Sequence, residues 1–145
     1  MKPIKITIPG RVKSKQSTTF GGGHAFTDPK IELYESYVRL CYMEQTKPYS
    51  EQRMIGGPIS LDIFVFFAIP KSKSKKLKEE MKTNKLRPMI TPDWDNIAKI
   101  VCDGLENVAF GDDKQIVEGS VKKYYDDEAR VELILKKLDQ ASLIL

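Results

Sequence analysis

The stretch ISLDIFVFFAIP, residues 59 to 70, constrains the fold of this chain more than any other. It alternates at first and then becomes apolar on both faces from Phe64 to Phe67. That pattern predicts a central strand covered on both sides, because a strand with one wet face keeps alternating. At the N-terminus, IKITIPG alternates Ile4, Ile6 and Ile8 with Lys5 and Thr7, which predicts a half-buried strand ended by Pro9-Gly10. Residues 10 to 26 lack periodicity and hold three consecutive glycines, so a loop is expected there, with the single histidine, His24, solvated within it. Asp28-Pro29 reads as an N-cap followed by the first helical position. Ile31, Tyr34, Tyr37, Val38 and Cys41 then recur at helical spacing to about residue 46. KPYSEQRMIGGP, residues 47 to 58, reads as a linker.

After Pro70 comes a lysine-rich segment, KSKSKKLKEEMKTNKLR, with a short helix expected around Leu77 and Met81, both as core or dimer contacts. A further helix is expected from about 95 to 107, with Ile97, Ile100, Val101 and Leu105 as its apolar stripe. Asn96, Lys99, Asp103 and Glu106 face the other way. Gly111-Asp112-Asp113 is a turn. QIVEGSVKKYY, DDE and ARVELILKKL then read as an antiparallel hairpin. The expected fold class is α/β: one compact domain over residues 1–145, its mixed β-sheet flanked by helices in β-α-β-α-β-β order, with a short extra helix before the last.

Composition narrows the class. With 145 residues and 41% hydrophobic side chains, the chain can build one core without disulfides. Cys41 and Cys102 stand apart, with no CxxC and no neighbouring histidine, which argues for reduced thiols and against zinc. No apolar run reaches membrane-spanning length, so a soluble, cytoplasmic protein without a membrane partner is expected. Twenty-four Lys+Arg against 20 Asp+Glu leave a net charge of +4, unevenly spread. The cations crowd residues 2 to 15 and 71 to 87, while acids gather between 93 and 113. A basic surface bordering an acidic pocket suits a polyanion held through metal ions.

The acids lie in TPDWDNIAKIVCDGLENVAFGDDKQI, residues 91 to 116. Asp93 and Asp95 flank Trp94 where a loop enters the helix. In extended backbone two such carboxylates aim to one side. Asp95 also suits an N-cap, but a cap explains only one of the pair. Lys99 follows Asp95 by four residues and Asp103 follows Lys99 by four, which by itself is an ordinary salt-bridge ladder along one helix face. Asp112-Asp113 come after the helix and before a strand, so a returning chain would carry Asp113 back toward the first acids. Three convergent carboxylates suit a hard divalent cation that completes its shell with water and phosphate oxygens. The cluster holds no histidine, and zinc, copper or iron fit it poorly. Ile97 and Ala98 stand where an EF-hand loop needs Asp/Asn and Gly, and RPMITP replaces the apolar strand that precedes a haloacid-dehalogenase-type DxD. Trp94 would either pack down to fix the two ligands or stack on a base, and packing is the expectation.

PDWDNIAKIVCDGL followed by FGDDKQI resembles the signature of the RusA family of Holliday junction resolvases. IPGRVKSKQ, DIFVFFAIPKSKSKK and the closing strands also occupy the places such proteins give them. The resemblance covers most of the chain, with residues 92 to 116 as its specific part. It implies a homodimeric, magnesium-dependent endodeoxyribonuclease, common in phages and prophages, that cuts four-way junctions by paired incision in DNA recombination and repair. Mn2+ would substitute for Mg2+, and no small-molecule cofactor is implied. Asp93, Asp95 and Asp113 would be the catalytic metal ligands, with Asp112 as a neighbour, Lys99 the catalytic lysine and Asp103 a supporting residue. Thr91 departs from a position that is often basic in the family, and Arg87 is the nearby substitute. Arg11, Lys13, Lys15, Lys71, Lys73, Lys75 and Lys76 would hold junction arms through phosphate contacts. The alternative is a non-catalytic junction-binding phage accessory protein.

Overall fold

A computed structural model describes residues 2–13, 19–21, 24–26, 29–47 and 55–139. The core strand is β4 (Ile59–Ala68), and the other elements are arranged around it. In chain order they are β1 (Ile4–Pro9), β2 (Thr19–Gly21), β3 (His24–Phe26), α1 (Pro29–Thr46), β4, α2 (Lys75–Lys82), α3 (Trp94–Leu105), β5 (Ile116–Asp126) and β6 (Arg130–Lys137). β2 and β3 pair as a small antiparallel ribbon, so part of the segment expected as loop is extended, and His24 opens β3.

The main sheet runs β1-β6-β4-β5. β4 pairs parallel with β5 and antiparallel with β6, and β1 closes the far side antiparallel to β6. The expected C-terminal reversal is present, since β5 and β6 run in opposite directions and are joined through residues 127–129. They do not pair directly. β4 lies between them, with Phe66 opposite Arg130 on one side and Tyr124 on the other. Pairing order is decided by the long-range fit of the apolar faces, which a short connection between two strands does not reveal.

One sheet face is dry. Ile4, Ile6 and Ile8 of β1, Leu61, Ile63, Val65 and Phe67 of β4, and Val131, Leu133 and Leu135 of β6 are all buried there. α1 and α3 cover it, α1 against β1 and α3 against β5. The α3 stripe of Ile97, Ile100, Val101 and Leu105 is fully buried, as its spacing predicts. Each such side chain stabilises the fold by about 1.5–3 kcal/mol. The two helices cross at Gly104, where an added Cβ would come within 2.8 Å of Val38. On α1, Gln45 also reaches β1: its Nε2 donates to the Thr7 carbonyl at 2.6 Å and its Oε1 accepts from the Thr7 N–H at 2.8 Å. That pairing satisfies backbone groups on an edge strand.

The other face departs from the double cover read from Phe64 to Phe67. Phe64 and Phe66 are half-buried, and guanidinium planes do part of the covering. Arg130 lies 4.0 Å over the Phe66 ring, Phe66 stacks on Tyr124 at 5.7 Å, and Arg87 lies 4.0 Å over Tyr124. Such cation–π contacts let aromatic residues tolerate a partly wet face. Arg130 is fixed in turn by Asp126 at 3.0 Å and Glu132 at 2.9 Å. α2 borders this face at β5, with Met81 buried beneath it and Leu77 partly exposed.

Candidate active site

The loop that carries Asp93 is fastened to β5. Lys123 donates from its ammonium to the carbonyls of Ile90 and Pro92, the latter at 2.9 Å. Arg87 donates from Nε to the Lys123 carbonyl at 2.7 Å. Arg87, read in the sequence as a stand-in for a basic residue at Thr91, thus spends its guanidinium on β5 and Tyr124. Partial burial lowers the Lys123 pKa, against the nearby Asp93 charge, which raises it. The helix begins at Trp94, one residue earlier than the spacing suggested. The N-cap is therefore Asp93, not Asp95, and its carboxylate makes no capping hydrogen bond. Asp95 occupies the first helical turn, where its charge suits the helix dipole.

At the other end of α3 the chain turns back sharply. Asn107 takes a φ of 70°, its N–H donates to the Phe110 carbonyl at 2.7 Å, and Ala109 and Phe110 plug into the core. The Asp112-Asp113 turn follows, ending in a 3-10 turn over Asp113–Gln115. Asp112 Oδ1 accepts from the Lys114 N–H at 2.9 Å, and this bond above all holds the Asp112 carboxyl below its ordinary pKa. Gln115 is the clamp. Its Oε1 accepts from the N–H groups of Gly111 and Asp112, while its Nε2 donates to the carbonyls of Ile55 and Gly57.

The return brings Asp113 beside the middle of α3. A cavity of about 330 Å³ is lined by Asp95, Ala98, Lys99, Cys102, Asp113 and Ile116. Lys99 Nζ stands 3.4 Å from Asp103 and 3.9 Å from Asp113. The lysine thus leans toward the later acids. Arg39 of α1 donates to the Asp103 carbonyl at 3.2 Å, fixing that part of the helix.

Among the described residues, one carboxylate oxygen each from Glu106, Asp112 and Asp113 lie within 4.8 Å of one another. Asp93 and Asp95 are not in that triplet. Glu106 had read as the solvent side of a helix, yet it is the C-cap of α3, bridged to Phe110 by the turn that carries Asp112 back. Cys102, the nearest sulfur, has its thiol pushed up to about 12 by burial, then by Asp113 and Asp103. A thiol so held stays protonated and is a poor metal ligand. The remaining donors are all carboxylate oxygens, a set that fits a hard divalent cation.

A family model described as "Endodeoxyribonuclease RusA" matches residues 5–136. The chain belongs to the RusA endodeoxyribonuclease family. It is also 35% identical over 144 residues to "Uncharacterized protein YqaN" of Bacillus subtilis (strain 168), a match covering 95% of this chain and 99% of that relative.

Lys15 lies outside the described residues. Arg11 and Lys13 are exposed, and the Arg11 guanidinium lies 5.3 Å over the Phe67 ring, which Lys123 also approaches at 5.7 Å. Arg11 therefore shares the end of β4 where the Asp93 loop is fastened. Lys71, Lys73, Lys75 and Lys76 are exposed in the turn before α2 and in its first turn, which Ser74 caps. No acid accompanies them there. Cations at a helix N-terminus oppose its dipole, so helix stability does not account for these lysines.

Trp94 differs from its sequence reading. It is 59% exposed, so it does not pack down between the two aspartates. No helix among the described residues is long and apolar enough to cross a membrane.

Proposed function

We propose that this protein is a magnesium-dependent, structure-selective endodeoxyribonuclease of the cytoplasm that resolves four-way junctions by paired incision, with manganese able to replace magnesium. The observation that carries this reading is the shared pocket of Asp95, Lys99 and Asp113 in a chain of the RusA family. The bound cation, held by Asp93, Asp95 and Asp113 with Asp112 and Glu106 beside them, would lower the pKa of an attacking water and stabilise the leaving oxygen. Lys99 would offset the charge that builds on the phosphate oxygens. Asp103, 3.4 Å from its ammonium, would keep the lysine aimed while the phosphate arrives. The lysines at 71 to 76, with Arg11 and Lys13, would hold the DNA arms by their phosphates, which positions a strand without reading its sequence. A homodimer follows from the paired cut, because a two-fold assembly presents two such pockets to a two-fold junction.

The test is a labelled four-way junction incubated with magnesium. The wild-type protein should give two symmetric nicks that a ligase reseals, and chelation should stop them. Asp95→Asn should lose cleavage and keep junction binding. Cleavage by that variant at the wild-type rate would remove Asp95 from the site. Binding by the wild type without any cut would identify a non-catalytic accessory protein instead.

A further inference from the structure

Beside the acidic pocket runs a second cavity, of about 260 Å³, that the chemistry above does not use. Leu61 and Ile63 of β4 form its floor, Trp94, Ala98 and Cys102 of α3 one wall, and Ile116 to Val121 of β5 the other. It shares Ala98, Cys102 and Ile116 with the acidic pocket, so the two are halves of one trench. One half carries Asp95, Lys99 and Asp113. The other is apolar, with Glu118 its one charged lining residue and exposed at that. At the rim stand two large apolar side chains left in solvent, Trp94 at 59% and Val117 at 60% exposed.

We propose that the apolar half receives one unstacked nucleobase next to the scissile phosphate, with the Trp94 indole as its stacking platform and Val117 bounding it opposite. This rests on the nuclease reading and names what that site holds besides the phosphate. The division of the trench matches a nucleotide: charged groups in one half for the phosphate, an adjoining apolar half for the base. Trp94 is not needed to hold its neighbours, because Lys123 fastens the loop before it and Ile97, Ile100 and Val101 anchor the helix after it. Bases inside a regular duplex are stacked and paired, and taking one out is costly. A branch point, where stacking is already interrupted, supplies a base at less cost. The slot would thus contribute to structure selectivity with no hydrogen bond to a base edge.

Trp94 is the sole tryptophan of the chain, so its fluorescence reports on the slot directly. The experiment titrates the full-length protein with four-way junctions in EDTA, one intact and others with a single abasic site moved through the branch point. The intact junction should quench Trp94 emission, and one abasic position should bind equally without quenching. With magnesium, Trp94→Ala should slow single-turnover cleavage about 10- to 100-fold, in line with the worth of one base–aromatic stack. Trp94→Phe should recover most of the rate. The abasic site that abolishes quenching should add no further penalty to Trp94→Ala. Unaltered emission in every complex overturns the slot, as do additive penalties, or a change in native mass for Trp94→Ala, which would make the patch a subunit contact. A wild-type protein that cuts without quenching refutes the slot alone. One that quenches without cutting refutes the nuclease reading and leaves the slot standing.

Discussion

The ammonium of Lys123, on β5, donates to the carbonyl of Pro92 at 2.9 Å and so sets where the backbone delivers Asp93. Lys123→Met keeps the stem and removes the bonds. We expect cleavage turnover to fall about 10- to 100-fold, the scale of a small misplacement in a catalytic site. Junction affinity and the melting temperature should change little, and Lys123→Arg should restore part of the rate. Turnover equal to wild type would remove Lys123 from the positioning role.

The lysines around the start of α2 carry a different prediction. Lys73→Glu combined with Lys75→Glu should weaken junction binding uniformly across sequences. It should also reduce the slope of log affinity against log salt by about two, since each lost phosphate contact removes about one counterion. Cleavage at saturating protein should persist. A slope that does not move would place the DNA elsewhere.

Gly104 sits where α1 and α3 cross, and a methyl group there would meet Val38 Cβ and Cγ1 at 2.8 Å. Gly104→Ala gains helix propensity but overpacks a fully buried contact, and overpacking of this kind costs about 1–3 kcal/mol. Urea denaturation should show the loss. Val38→Ala in the same chain removes Cγ1 and leaves Cβ, so it should relieve part of the clash, making the double variant more stable than the sum of the two single changes. Strict additivity would mean the helices yield instead.

Cys102 gives the fold a sensitivity to alkali. Its thiol is raised from 9.0 to about 12 by burial and the neighbouring aspartates. The folded state therefore holds this proton more tightly than the unfolded chain. The stability it contributes is complete below pH 9 and declines as pH rises toward 12, by at most about 1.4 kcal/mol per pH unit. Cys102→Ala should show a shallower decline between pH 9 and 10.5 in denaturant titrations. Thiol labelling of the wild type near pH 8 should be slow, and a rate like that of a free thiol would contradict the shift.

Much of this was legible in the residue order. The stripe of Ile97, Ile100, Val101 and Leu105 falls within a single helix, and β1 alternates cleanly, so local period alone places them. The approach of Asp113 to Lys99 is different: spacing offered a return toward Asp93 and Asp95 only as an assumption, and the contact with Lys99 depends on the turn after the helix. Lys123 was not legible. It sits in a strand where it reads as ordinary alternation, and its partners are 31 and 33 residues earlier in the chain. Gln115 reaches back as far as Ile55, and Glu106 joins Asp112 only because Asn107 turns the chain left-handed after the helix. The exposure of Trp94 was missed for a related reason: the buried stripe already fixes the helix, leaving the indole with nothing to cover.

The insertion of β4 between β5 and β6 governs how the molecule comes into being. The last two strands follow one another in the chain, yet they cannot zip together as an early local unit, since their common partner begins more than fifty residues before. Contacts that span such distances slow folding and bind distant segments into one cooperative event. The turn bearing Asp112 and Asp113 leads straight into β5, so these acids take their places only when the middle strand has arrived. A chain cut or stalled short of that moment would carry the acids without the pocket.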